Sequence, residues 1–126
     1  MKRIALFIVC LLFGLLMIVS GLNKFLNFMP VPEDLPQEMV EIMQHMMAIG
    51  WLMPLVGLVE IVGGILFIIP KTRALGAVII FPVVVGILLT HVMNEPSGMP
   101  MAIVIFLINV WVLIENRAKY LPMLTV

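Results

Sequence analysis

The chain has 126 residues, 63% hydrophobic and 11% charged, with seven basic and seven acidic side chains and no formal net charge. Ordinary soluble domains carry ~45–50% apolar and ~25% charged residues, so this balance excludes a water-soluble domain of common type. No basic tract marks a nucleic-acid partner, and the lone Cys10 excludes both an internal disulfide and a Cys-x-x-Cys dithiol.

Met1-Lys2-Arg3 precedes an apolar run from Ile4 to Leu22. Basic residues ahead of a hydrophobic stretch also describe a signal peptide, with Val19-Ser20-Gly21 as a cleavage site. The run is longer than the ~7–15-residue core of such signals. It is therefore expected to stay in place as a first spanning helix, over about residues 4–25. Gly14, Gly21 and Lys24 share one face of that helix. Small residues admit a close neighbour. Lys24 then points into the bundle or, as the plainer alternative, snorkels to the headgroups.

Pro30-Val31-Pro32-Glu33-Asp34-Leu35-Pro36 is a turn-rich connection. Asp34 is expected to cap the next helix, with Pro36 in its first turn. Leu35, Met39, Ile42 or Met43, and Met46 recur at helical spacing, and Glu38, Glu41 and His45 fill much of the rest. This pattern predicts a short amphipathic helix on the membrane surface.

A second span is predicted over residues 48–69, a stretch apolar throughout except for Glu60. At ~1.5 Å per residue it is long enough to cross a bilayer. A central acid costs ~2.5–3.5 kcal/mol on insertion scales, so it is rarely incidental. Gly57, Glu60 and Gly64 share a face suited to burial against other helices. Pro54 is expected to kink this span. A third span is predicted over 74–92, bent at Pro82 and Gly86 and ending in Thr90 and His91. After the turn Asn94-Glu95-Pro96-Ser97-Gly98, a fourth covers about 100–114 and carries Asn109 at roughly the depth of Glu60. The expected fold is all-α: one membrane domain over residues 1–126, a four-helix bundle with the amphipathic helix between spans one and two.

With four spans, Lys2, Arg3, Lys71, Arg73, Arg117 and Lys119 fall on one side of the membrane. Lys24 falls on the other, beside Glu33, Asp34, Glu38, Glu41 and Glu95. The positive-inside rule then places both termini in the cytoplasm. A cleaved first segment would keep the Lys71/Arg73 turn cytoplasmic too.

Hydrocarbon offers no partners, so polar groups within the spans should meet inside the bundle. The candidates for ligand binding or proton handling are Asn23, Lys24, Glu60, His91 and Asn109. Glu60 is expected to lie ~12–15 Å deeper than Lys24. A Lys24–Glu60 ion pair then requires the first helix to run deeper, for instance on to Phe28. Otherwise Glu60 stays protonated and donates to Asn109 or a carbonyl. Two readings compete: an outward-opening pocket floored by Glu60 and rimmed by Lys24 and His91, or polar glue worth ~0.6 kcal/mol per contact. Twelve methionines, many on the outer side with His45 and His91, match the soft donors that Cu(I) prefers. Such methionines more often serve as adaptable packing, and no metal site is assigned.

Several of these features together resemble the DoxX-like family of small bacterial four-helix membrane proteins. They are Ser20-Gly21-Leu22-Asn23-Lys24-Phe25 with Phe28 and Pro30, the Glu60 helix with Gly63-Gly64, Pro82, and His91 before the Asn94-to-Pro100 turn. The resemblance implies an inner-membrane bundle with a redox or quinone connection, since members include a small subunit of a thiosulfate:quinone oxidoreductase. Members that handle disulfides carry cysteines absent here. The expected function is an accessory subunit that binds a quinone or lipid-like molecule near Glu60. The alternative is an assembly factor that recruits a partner through its acidic Glu33–Glu41 surface. Expected partners are the lipid bilayer, a redox-enzyme or other membrane subunit, or a second copy of the chain.

Overall fold

In a computed structural model, which describes residues 2–27, 33–94 and 96–124, the described chain is helical and contains no strand. Six α-helices follow in order: α1 (Lys2–Leu26), α2 (Gln37–Ala48), α3 (Leu52–Ile68), α4 (Arg73–Met93), α5 (Met99–Glu115) and α6 (Arg117–Tyr120). Phe28, Pro30 and Glu95 lie outside the described residues. Helices α1, α4 and, with the turn before it, α5 are each long and apolar enough to cross a membrane. Helices α2 and α3 pass that test only together, and they meet at 90°.

Residues 48–69 are therefore not one helix. Ala48 ends α2, Ile49 to Trp51 form the turn, and α3 begins at Leu52. Pro54 explains the position of the break, because it has no N–H to donate to the carbonyl of Gly50. It sits in the first turn of α3, where that N–H has no helical acceptor, instead of kinking a helix interior. Asp34 does not cap α2 either. Pro36 is the N-cap residue, and its carbonyl accepts from the backbone N–H groups of Met39 and Val40 at 3.0 and 3.1 Å. Pro82, by contrast, lies within a continuous α4.

The helices pack in a row. α1 packs most extensively on α3, α3 on α4, and α4 on α5, whereas α1 and α5 touch only slightly. The core runs through this row, from Cys10, Phe13 and Met17 to Phe67, Ile80 and Val112. Phe13 and Phe67 stack with ring centroids 4.4 Å apart. Leu12, Leu58, Leu75 and Leu107 are all more than half exposed. Apolar surface on this scale is costly in water and is what a bilayer-facing wall presents.

One end of the row holds the α1 N-terminus, the α3–α4 turn and the α5–α6 junction. Lys2 meets Glu115 there at 3.0 Å. The Tyr120 hydroxyl donates to the carbonyl of Ala74 at 2.7 Å, and burial pushes its phenol above the usual range. Arg73, expected only to mark topology, is buried and closes the end of α3. Its Nε donates to Phe67 O at 3.0 Å and its Nη2 to Ile68 O at 3.1 Å, while Thr72 Oγ1 donates to Leu66 O at 2.8 Å. These bonds satisfy carbonyls that every helix leaves open at its C-terminus.

Candidate functional site

Two glycine crossings bring α1 against α3. A Cβ on Gly21 would lie 2.5 Å from the carbonyl oxygen of Gly57, and one on Gly64 would lie 2.8 Å from that of Gly14. No other residue type allows the backbones so close. This register sets Glu60 level with Ile18 and leaves Lys24 about six residues, or ~9 Å, nearer the outer end.

Lysine closes that gap from above. A helical side chain leans toward the N-terminus of its helix, which for Lys24 means inward, along the preceding turn. Its Nζ reaches Glu60 Oε1 at 2.5 Å and donates to Ser20 Oγ at 3.1 Å. The Lys24 side chain is 18% exposed and that of Glu60 is 1% exposed. The ion pair thus forms with α1 ending at Leu26, short of Phe28. The end of α1 is fixed by Asn27, whose φ of 51° gives a left-handed C-terminal cap and whose N–H bonds to Asn23 O at 2.8 Å.

The pair borders a cleft of about 530 Å³ between α2, α3 and α4. Met39, Met43 and Met46 of the crosswise helix α2 line one side. Pro82, Gly86 and Ile87 of α4 line another. Glu60 Oε2 is buried and has no hydrogen-bond partner among the described residues. Buried carboxylate oxygens are seldom left so. His91 stands on the cleft with Nδ1 2.9 Å from the Ile87 carbonyl. A carbonyl can only accept, so Nδ1 carries the proton. Thr90 also borders the cleft, but its hydroxyl donates to Gly86 O at 2.8 Å.

Lys24, Glu60 and His91 are therefore brought together, and Asn109 is not. Asn109 is fully buried between α4 and α5, with Nδ2 donating to Ala77 O at 3.2 Å. Its depth resembles that of Glu60, but α4 lies between their helices in the row. Asn23 is not among the residues that line the cleft. Reading by sequence missed the contribution of α2. The spacing of Met39, Met43 and Met46 is visible in the sequence, but it predicts contact with a membrane surface and not with a cleft. No three His, Cys, Asp or Glu side chains among the described residues cluster as metal ligands.

The family model for DoxX matches residues 5–92. The chain belongs to the DoxX family. Both glycine crossings and the whole Lys24–Glu60–His91 arrangement fall within the matched stretch, whereas α5 with Asn109 falls outside it. With its apolar helices, the DoxX chain is a multi-pass membrane protein. No curated protein and no solved structure matches it.

Proposed function

We propose that the cleft beside Glu60 binds a quinone or a similar amphiphile with an apolar body and a hydrogen-bonding head, and that the protein is an accessory subunit of a membrane redox system. The observation that carries this reading is a buried, charge-neutral Lys24–Glu60 pair on an otherwise methionine- and aliphatic-lined cleft. Ligand sites combine such walls with a few convergent polar groups. A head-group carbonyl would accept from Lys24 Nζ, and a head-group hydroxyl would donate to Glu60 Oε2. Methionine suits the walls because its unbranched thioether adapts to irregular shapes. His91, at the rim, is the candidate for exchanging a proton with the outer side.

The chain sits in this reading in the bacterial inner membrane as one four-span domain. The basic end with both termini faces the cytoplasm, following the distribution of Lys and Arg. The cleft then opens to the outer side, with α2 across it and Glu38 and Glu41 exposed.

Purification in mild detergent followed by mass analysis of solvent extracts tests the proposal. A quinone or related lipid near one per chain, lost in Glu60→Gln and in the cleft-filling Gly86→Phe, supports it. A stoichiometric protein partner with no extractable ligand would favour the assembly-factor alternative.

A further inference from the structure

The opposite end of the row carries a second cleft, of about 740 Å³, between the first turns of α1, the α3–α4 turn and the α5–α6 junction. Arg3, Arg73 and Lys119 line it, and Ile4 and Phe7 supply an apolar wall. The balance of charge here is lopsided. Among the described acidic residues, Glu115 alone belongs to this end, and it is held by Lys2 at 3.0 Å. Arg3 and Lys119 have no carboxylate within ion-pair distance among the described residues. Arg73 is buried, with two of its nitrogens donating to α3 carbonyls and none to a carboxylate among the described residues.

Three cations converge without a matching carboxylate among the described residues where the bundle leaves the hydrocarbon. Guanidinium groups bind phosphate oxygens with good geometry, and basic recesses between membrane helices take anionic headgroups. The wall decides between sources of phosphate. Ile4 is 63% exposed and Phe7 45% exposed, both on the helix face that continues from Arg3 into the apolar segment. A free phosphate ion gains nothing from them, whereas an acyl chain does. We infer that this cleft binds an anionic phospholipid, its phosphate held by Arg3, Arg73 and Lys119 and an acyl chain lying along Ile4 and Phe7. The site is separate from the cleft at Glu60 and does not depend on what binds there.

The test is native mass spectrometry of the full chain in detergent, titrated with phosphatidylglycerol and, separately, phosphatidylethanolamine. Arg3→Gln and Lys119→Gln suit it because both positions are exposed, whereas replacing Arg73 would also uncap α3. Lys71→Gln, on the α3–α4 turn but not lining the cleft, is the control. Each cation near the surface contributes enough for about a fivefold change in affinity. The expected result is preferential phosphatidylglycerol binding, weakened about fivefold by either cleft variant and about 25-fold by both together. Lys71→Gln should leave it unchanged. An equal loss in Lys71→Gln would mean a diffuse charge effect and overturn the site. Displacement of phosphatidylglycerol by inorganic phosphate at a similar concentration would overturn the lipid assignment in favour of a free anion.

Discussion

The two halves of α4 use glycine in opposite ways. In the half nearer the basic end, a Cβ on Gly76 would lie 2.6 Å from the backbone N of Phe67 and 2.8 Å from the carbonyl oxygen of Gly63. Backbone meets backbone there, and nothing can yield. One helical stretch further on, a Cβ on Gly86 would meet nothing within 4 Å. The first glycine lets α3 and α4 close, and the second borders the cleft where they stand apart. A glycine-rich membrane helix is thus not uniformly a packing surface. Whether a small residue makes a seam or a space depends on what its neighbour helix presents.

The largest expected effect comes from the open half. Removing one member of a buried ion pair strands the other and typically costs ~3–5 kcal/mol. Glu60→Met or Lys24→Met alone should therefore lower resistance to denaturant by about that much. The double variant should recover most of the loss, since apolar replacement of both partners is often neutral or stabilising. If the double variant is no more stable than the singles, the pair is not the reason the residues are coupled. Next comes the closed half. Gly76→Ala forces backbones apart, and overpacking of this kind costs ~1–3 kcal/mol. In the open half the same change should act with the opposite sign. Gly86→Ala should stabilise by ~0.5–1 kcal/mol, the ordinary gain for replacing a helical glycine. Thermal unfolding of the two variants side by side tests the comparison, and equal signs would break it. The smallest effect is expected at Asn109→Leu. This substitution gives up one interhelical hydrogen bond of ~0.6 kcal/mol but also removes Oδ1, which is buried without a partner among the described residues. Stability should change little, and retention of any bound amphiphile should not change.

Much of the α1–α3 seam was legible in the sequence. The 3.6-residue period alone places Gly14, Gly21 and Lys24 on one face and Gly57, Glu60 and Gly64 on another, and the structure crosses those two faces. What the period does not carry is lateral order. Nothing in the spacing of Asn109 reveals that α5 packs behind α4, so equal depth was mistaken for proximity to Glu60. Length misled in a similar way. The apolar run over 48–69 is long enough for one span, and this concealed the break before Leu52 that turns α2 across the cleft. Arg73 was read for its charge, a long-range property of topology, when its local effect is to cap α3 through two carbonyls. The depth of Glu60 below Lys24 was overestimated because the glycine crossings, which set the register, leave about six residues between them, and a helical lysine leans across the ~9 Å that remain.

The cleft depends on Lys24 reaching down into the bundle to meet Glu60. Solid-state NMR of the reconstituted protein, measuring the separation of Lys24 Nζ and the Glu60 carboxyl carbon, tests this directly. The two should lie within about 4 Å of each other, the range of an ion pair. A Lys24 Nζ with no such contact, turned instead toward the lipid headgroups, would contradict it.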